Sequence, residues 1–212
     1  MMRLPRGLYG MADATFGDPV DQAARLVAAG CKVLQMRCKR WTTGMRIDAA
    51  RATLRVTRPA GVILIVNDDI ECAASVGADG VHLGQGDGTL PHARARLPAG
   101  SLIGRSTHDP AEVHGAVAEG ADYIGFGPIY PTTTKETGFS SRGLRALQGA
   151  CGQFPGPVVA IGGITAPRLP ALRATGVHGW AVGSGIWRAP DPDRAISELL
   201  LGERGKPDGS GI

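Results

Sequence analysis

Aromatic side chains supply only 5% of this 212-residue chain, as three Trp, three Tyr and four Phe. A core with so few rings has to be built from Ala, Val, Leu and Ile. Long apolar runs are also missing. The longest, Val62 to Val66, falls far short of the roughly 18 residues that a membrane span needs. The first residues, Met1 to Gly7, show no apolar h-region and no small-residue cleavage site, so no secretory signal is expected. Cys31, Cys38, Cys72 and Cys151 form no C-x-x-C pair and no metal-binding spacing, which fits a reduced cytoplasmic setting. No basic run or stripe is present either. The 23 Lys+Arg are scattered among 19 Asp+Glu, leaving a formal charge of +4. Nucleic acid is therefore not an expected partner, and a phosphorylated small molecule suits the slight positive balance at least as well.

What the chain does have is glycine, 32 residues spread without period. That is about twice the usual share, and it serves turns and close backbone approaches. Short apolar segments alternate with amphipathic ones. The strand candidates are Leu8 to Asp13, Lys32 to Arg37, Val62 to Asp68, Gly80 to Gly84, Leu102 to Ser106, Tyr123 to Pro128, Pro157 to Gly163 and Gly179 to Ile186. Eight helical stretches lie between and after them. Asp18-Pro19 and Asp109-Pro110 open two of these, closed by Gly30 and Gly120, and Pro167 and Pro192 sit near two more starts. Alternating strands and helices imply parallel strands joined by right-handed crossovers. Eight such units in about 200 residues predict a single α/β domain, a closed (β/α)8 TIM barrel over residues 1–201. An open doubly wound sheet, the alternative, would usually have fewer strands. The polar, Gly-rich residues 202–212 are expected to be a disordered tail.

In such a barrel the chemistry lies at the C-terminal ends of the strands, and nearly every candidate strand here ends in polar groups. Gln35, Arg37 and Lys39 alternate, so they share one side, and Arg with Lys favours a phosphate-rich group. Asp68 and Asp87 close neighbouring strands. Two carboxylates with no sulfur or imidazole partner suit Mg2+, which takes one or two carboxylates plus substrate phosphate. Both also read as helix N-caps, and Asp69 reads as a surface cap. Thr132, Thr133, Thr134 and Lys135 form a hydroxyl-rich loop that is either a ligand contact or a solvated segment. Gly162-Gly163 and Gly183-Ser184-Gly185 close the last two strands, where glycine lets backbone N–H groups approach an anion. His82 and His108 each read equally as a hydrogen-bonded structural histidine or as a substrate contact. The cysteines read as small apolar fillers.

Six ordered motifs then resemble a known family: QMRCK (35–39), VNDD (66–69), GADGVHLGQGD (77–87), GRSTH (104–108), GADYIGFGPIYPTTTK (120–135) and VAIGGIT (159–165). Together, over about residues 8–200, they resemble thiamine-phosphate synthase, also called thiamine-phosphate pyrophosphorylase. The resemblance implies a (β/α)8 barrel. It also implies coupling of 4-amino-2-methyl-5-hydroxymethylpyrimidine diphosphate to 4-methyl-5-hydroxyethylthiazole phosphate or its carboxylate, giving thiamine monophosphate and pyrophosphate. By motif, Gln35, Arg37, Lys39, Asn67 and Lys135 would hold the pyrimidine diphosphate, with His82 a further substrate contact. Asp68 and Asp87 would hold Mg2+, and Ser106 would sit near the reacting carbon. Thr132, Thr133, Thr134, Gly163, Gly183 and Ser184 would hold the thiazole phosphate. Arg37, Lys135 and Ser106 are the implied catalytic groups, because this displacement needs neutralisation of the leaving group and no protein nucleophile.

The chain departs from that pattern at Cys38, where the family usually has Glu or Asp, and at Gly183, where it usually has a branched apolar residue. Arg105 and Gly185-Ile186-Trp187 are more similar to the related thiazole tautomerase, a metal-independent isomerase. A non-catalytic phosphate-binding barrel is the third reading, supported by Cys38 alone. The second metal-site Asp and the T-x-T-K loop favour the synthase.

Overall fold

The computed structural model describes residues 2–131 and 140–202. Eight parallel strands close on themselves in chain order. They are β1 (Gly7–Asp13), β2 (Val33–Arg37), β3 (Ile63–Asn67), β4 (Gly80–Leu83), β5 (Leu102–Thr107), β6 (Tyr123–Phe126), β7 (Val158–Ile161) and β8 (Gly179–Val182). The helices that alternate with them are α1 (Pro19–Ala28), α2 (Thr43–Thr57), α3 (Ile70–Val76), α4 (Leu90–Arg96), α5 (Pro110–Ala118), α6 (Gly143–Gln153) and α7 (Leu169–Arg173), followed by α8 (Ser184–Trp187) and α9 (Pro192–Leu201). The expected (β/α)8 barrel is thus present. The tail from residue 203 onward lies outside the described residues. Among the described residues, no helix is long and apolar enough to cross a membrane.

Local chemistry sets most helix starts. Asp18, Asp69, Asp109 and Asp191 accept the backbone N–H of Val20, Cys72, Glu112 and Arg194 respectively, and Thr42 and Thr89 do the same for α2 and α4. Asp69, not Asp68, is therefore the cap of α3. Asp69 is also paired with Arg46 at 2.7 Å, so it is tied down rather than loose on the surface. The expected strand from Gly179 to Ile186 is too long. The β8 ladder stops at Val182, Gly183 takes φ −115° and ψ −83°, and Ser184 begins the short α8. That extra turn makes nine α-helices among the described residues where eight helices were expected.

Two apolar layers result. One lies between the strands and the helices, around Leu26, Leu34, Leu64, Val81, Ile103 and Ile124. The other fills the barrel with Leu4, Tyr9, Met11, Val33, Ile65, Leu102, Tyr123, Val159 and Ala181. Strand alternation sends neighbouring residues to opposite layers. The interior layer is a packed plug below, and its upper rim carries the polar residues of the site.

Candidate active site

At the C-terminal rim, one cleft is lined by Gln35, Arg37, Lys39, Asn67, Asp68, His82, Asp87, Ser106, Gly163, Gly183 and Ser184. Every sequence-predicted site residue that the structure describes is therefore brought to one place. Thr132, Thr133, Thr134 and Lys135 lie outside the described residues. The cleft also takes in Tyr9, Asp13, Phe16, His108 and Tyr123, which the strand-end reading missed or left undecided.

The cationic side of the cleft is braced from within. Arg37 Nη1 donates to Asp13 Oδ2 at 2.7 Å. Asp13 ends β1 directly beside Arg37 in the parallel register. Its other carboxylate oxygen accepts the Thr15 N–H at 2.9 Å, and the Gln22 side chain clasps the Asp13 backbone N–H and carbonyl. Lys39 lies two residues beyond Arg37, just past the end of β2, and its Nζ stands 3.1 Å from Asp68 Oδ2. Cys38 points the other way into the outer core, 3% exposed. Burial pushes its thiol up to about 12, with Asp13 adding to the effect, so it is a filler and not a nucleophile. Asp13 and Asp68 supply carboxylates to Arg37 and Lys39, so both cations are oriented with Cys38 in place.

The acidic side is a carboxylate pair. Asp68 and Asp87 both line the cleft, and each alters the other's proton affinity. Burial opposes charge on Asp68, but the Asp87 hydrogen bond and Lys39 outweigh it and hold Asp68 below the usual carboxylate range. Burial and the Asp68 charge together push Asp87 up. Asp68 adopts φ +64°, the one left-handed non-glycine among the described residues, a strained conformation of the kind retained at functional sites. Two carboxylates this close call for a proton or a cation between them. An all-oxygen pair, with no group of three or more His, Cys, Asp or Glu among the described residues, fits the one or two carboxylates that Mg2+ takes.

The loop that carries Asp87 is held at both flanks. Gly84 donates its N–H to Asp87 Oδ2 at 3.0 Å. Behind it, Arg105 donates to Gly84 O at 2.7 Å and to Gly88 O at 3.1 Å, and pairs with Glu119. Arg105 faces the helix layer and is 4% exposed. It braces the site without lining it. His108 lines the cleft with Nδ1 2.8 Å from Glu112. His82 is both structural and exposed to the cleft, its Nε2 2.9 Å from Ser106 Oγ and its Nδ1 3.1 Å from Tyr123 Oη.

The glycine pair after β7 has a packing cause. Gly162 and Gly163 have φ +99° and +62°. A Cβ on Gly162 would come within 2.5 Å of Pro128 Cβ, and one on Gly163 within 2.6 Å of the Pro131 carbonyl oxygen. Gly185 likewise abuts the Ile164 carbonyl at 2.5 Å. Gly183 differs, since a Cβ there would meet nothing nearer than Met11 at 3.4 Å.

Relatives carry the same framework. The sequence profile of the TMP-TENI family, described as thiamine monophosphate synthase, matches residues 8–186. A thiamine-phosphate synthase of Herpetosiphon aurantiacus is 40% identical over 203 residues, covering 94% of this chain and 98% of that one. One from Anaeromyxobacter dehalogenans is 37% identical over 193 residues, covering 91% and 86%. Among solved structures, a thiamine phosphate pyrophosphorylase from Pyrococcus furiosus superposes with a TM-score of 0.84 at 30% identity, covering 93% of this chain and 95% of that one. With the family profile, the identity of these relatives over most of their length and the superposed barrel in agreement, the chain belongs to the thiamine monophosphate synthase family.

Proposed function

We propose that this protein is a Mg2+-dependent thiamine-phosphate synthase that joins the pyrimidine diphosphate to the thiazole phosphate and releases pyrophosphate. The observation that carries the reading is the contiguous array of Arg37, Lys39, Asp68 and Asp87 at one rim, two cations beside two carboxylates. Cations alone would serve any anion. Cations beside a carboxylate pair suit a diphosphate that arrives with a divalent ion.

In this reading the C–O bond between the pyrimidinylmethyl carbon and the diphosphate breaks, and its electron pair leaves with pyrophosphate. The thiazole nitrogen supplies the pair for the new C–N bond. It carries no proton to lose, so no general base is needed. The electron-rich aminopyrimidine stabilises positive charge at the methylene carbon, which favours an early departure of the leaving group. Asp68 and Asp87 would hold Mg2+, whose charge would help neutralise the leaving group. Arg37, held by Asp13, and Lys39, held by Asp68, present preorganised positive charge to the same oxygens. Lys135 and the Thr132–Thr134 hydroxyls are assigned by motif to the two phosphate ends. Gly163, Gly183 and Ser184 edge the side of the cleft assigned to the thiazole phosphate. Both sets of residues line one cleft, and holding the two reactants there side by side would supply the proximity contribution.

The test is turnover of the pyrimidine diphosphate with the thiazole phosphate, followed as thiamine phosphate and pyrophosphate. Product should form with Mg2+, stop with EDTA and return on adding Mg2+. Asp87→Ala and Lys135→Ala should each lose roughly 10²–10³ in rate with the fold intact by circular dichroism. Near-normal rates in both variants, or EDTA-insensitive isomerisation of the thiazole with no coupling, would overturn the reading.

A further inference from the structure

Side chains from five strands meet inside the barrel in one continuous hydrogen-bonded row. Gln35 Nε2, on β2, donates to Tyr9 Oη at 3.0 Å. Tyr9 Oη lies 2.9 Å from Tyr123 Oη, which bridges β1 and β6, strands that are not neighbours. Tyr123 Oη lies 3.1 Å from His82 Nδ1, and His82 Nε2 lies 2.9 Å from Ser106 Oγ. Both ends of the row, Gln35 and Ser106, line the cleft.

Each phenol and a neutral imidazole carries one proton to share, so the donor at one end sets the sense of the row when every proton stays within it. An amide nitrogen only donates, so Tyr9 Oη accepts from Gln35. In the sense that keeps both phenol protons within the row, Tyr9 donates to Tyr123 Oη and Tyr123 donates to His82 Nδ1. A neutral imidazole with Nδ1 as acceptor carries its proton on Nε2, which donates to Ser106 Oγ. The Ser106 proton is left to point into the cleft. Burial, first, raises the pKa of both phenols, which keeps each hydroxyl proton in place.

We propose that Tyr9 and Tyr123 are positioning residues that fix His82 as its Nε2–H tautomer and so make Ser106 a one-way hydrogen-bond donor into the cleft. A serine 2.9 Å from a histidine nitrogen has the spacing of a nucleophile and its base. Here the polarity is inverted. The histidine gives a proton to the hydrogen bond instead of receiving one, and Ser106 is set to donate to a ligand lone pair, such as an oxygen of the departing diphosphate. That last step rests on the function proposed above, whereas the tautomer does not. The room for the row is built in independently. A Cβ on Gly104 would fall on the Tyr123 ring and 2.5 Å from His82 Nδ1, and one on Gly125 would sit 3.2 Å from His82 Cε1. Alanine at Gly104 would displace the pair.

The ring 15N shifts of histidine distinguish the two neutral tautomers. Protein labelled with [15N]histidine contains five histidines, and the His82 signals are those lost in His82→Gln. In the wild-type protein at neutral to mildly alkaline pH, Nε2 should be of the protonated type, and Nδ1 an unprotonated nitrogen that accepts a hydrogen bond. In Tyr123→Phe the tautomer is released, so Nδ1 should lose its hydrogen-bonded acceptor shift and Nε2 should move part-way toward the unprotonated position. The kcat of that variant should fall about tenfold, the scale of one hydrogen bond lost on the way to the transition state, with KM held. Tyr9→Phe interrupts the row one step earlier and serves as the second variant if Tyr123→Phe does not fold. Ser106→Ala should keep the His82 tautomer while kcat falls. A wild-type His82 protonated on Nδ1 overturns the proposal, and that measurement needs no variant. Unchanged kcat in both tyrosine variants overturns the positioning role. Full activity in Ser106→Ala with the stated tautomer overturns the donor role of Ser106. Failure of the wild-type protein to make thiamine phosphate overturns the proposed function instead, and leaves the tautomer measurement standing.

Discussion

Arg37 meets its ligand with the guanidinium already engaged by a carboxylate that is 4% exposed and clasped on its backbone by Gln22. A long side chain aimed in advance loses less rotamer freedom when it binds. Asp13→Asn keeps the shape but removes the charge, and should lower kcat/KM for the pyrimidine diphosphate by about tenfold to a hundredfold, the scale of a hydrogen bond to a charged group. Steady-state kinetics across substrate concentrations checks it, and an unchanged constant would mean that Arg37 is placed by something else. The thiols give a second expectation. Burial, the first cause in each case, raises Cys38 to about 12 and Cys72 to about 11, so both stay protonated at pH 8. Iodoacetamide should leave both unmodified in native protein and label both after unfolding, read by mass spectrometry. Much of this site was legible from the chain because Gln35, Arg37, Lys39, Asn67, Asp68, Asp87 and Ser106 all close apolar segments, where a polar residue has no core role. Asp13 also closes one, but its value lies in the strand pairing that sets it beside Arg37, which residue order alone does not show. Tyr9 and Tyr123 were hidden more deeply. They read as core rings, and their contact spans 114 residues of sequence.

Elements were legible where side chains cap backbone. Asp18 and Asp109, each followed by Pro, mark α1 and α5 within a residue. The error at β8 has a different origin. Trp180 to Ile186 reads as one small, apolar run, and only the backbone conformation at Gly183 shows where the ladder ends. Arg105, which by sequence is more similar to the thiazole tautomerase, adjoins Ser106. On a strand, adjacency in sequence means opposite faces, and Arg105 serves the site from behind by holding the carbonyls at both flanks of the Asp87 loop. Arg105→Met should leave two carbonyls without their donor, lower stability by about 1–3 kcal/mol and raise the Mg2+ concentration needed for half-maximal rate. Arg105→Lys should recover part of both. Urea unfolding and a Mg2+ titration of activity measure the two effects separately. A stability loss with an unchanged Mg2+ requirement would confine Arg105 to scaffolding.

The whole barrel is closed below as well as furnished above. Leu4 inserts into the interior layer, and His178 Nε2 lies 2.9 Å from the Leu4 carbonyl oxygen, tying the N-terminal segment to the start of β8. Burial, the largest cause, lowers the proton affinity of His178 below its ordinary value. The unfolded chain therefore binds more protons than the folded one just below about pH 6.5, and stability falls as pH drops through that window. Above it the contribution is constant. His178→Gln should flatten this part of the stability curve relative to wild type, as measured by denaturant midpoints on either side of about pH 6.5. Equal slopes in the two proteins would remove His178 as the source. The same closure has a consequence for how the chain reaches its native form. On β5, Ser106 faces the interior while Arg105 faces the helices. A slip of one residue in that strand would drive a guanidinium into the apolar plug and turn the serine out against α5. The alternation that equips the cleft is therefore also a proofreading device, since a misaligned barrel would take Arg105 away from Glu119 and from the two carbonyls it holds.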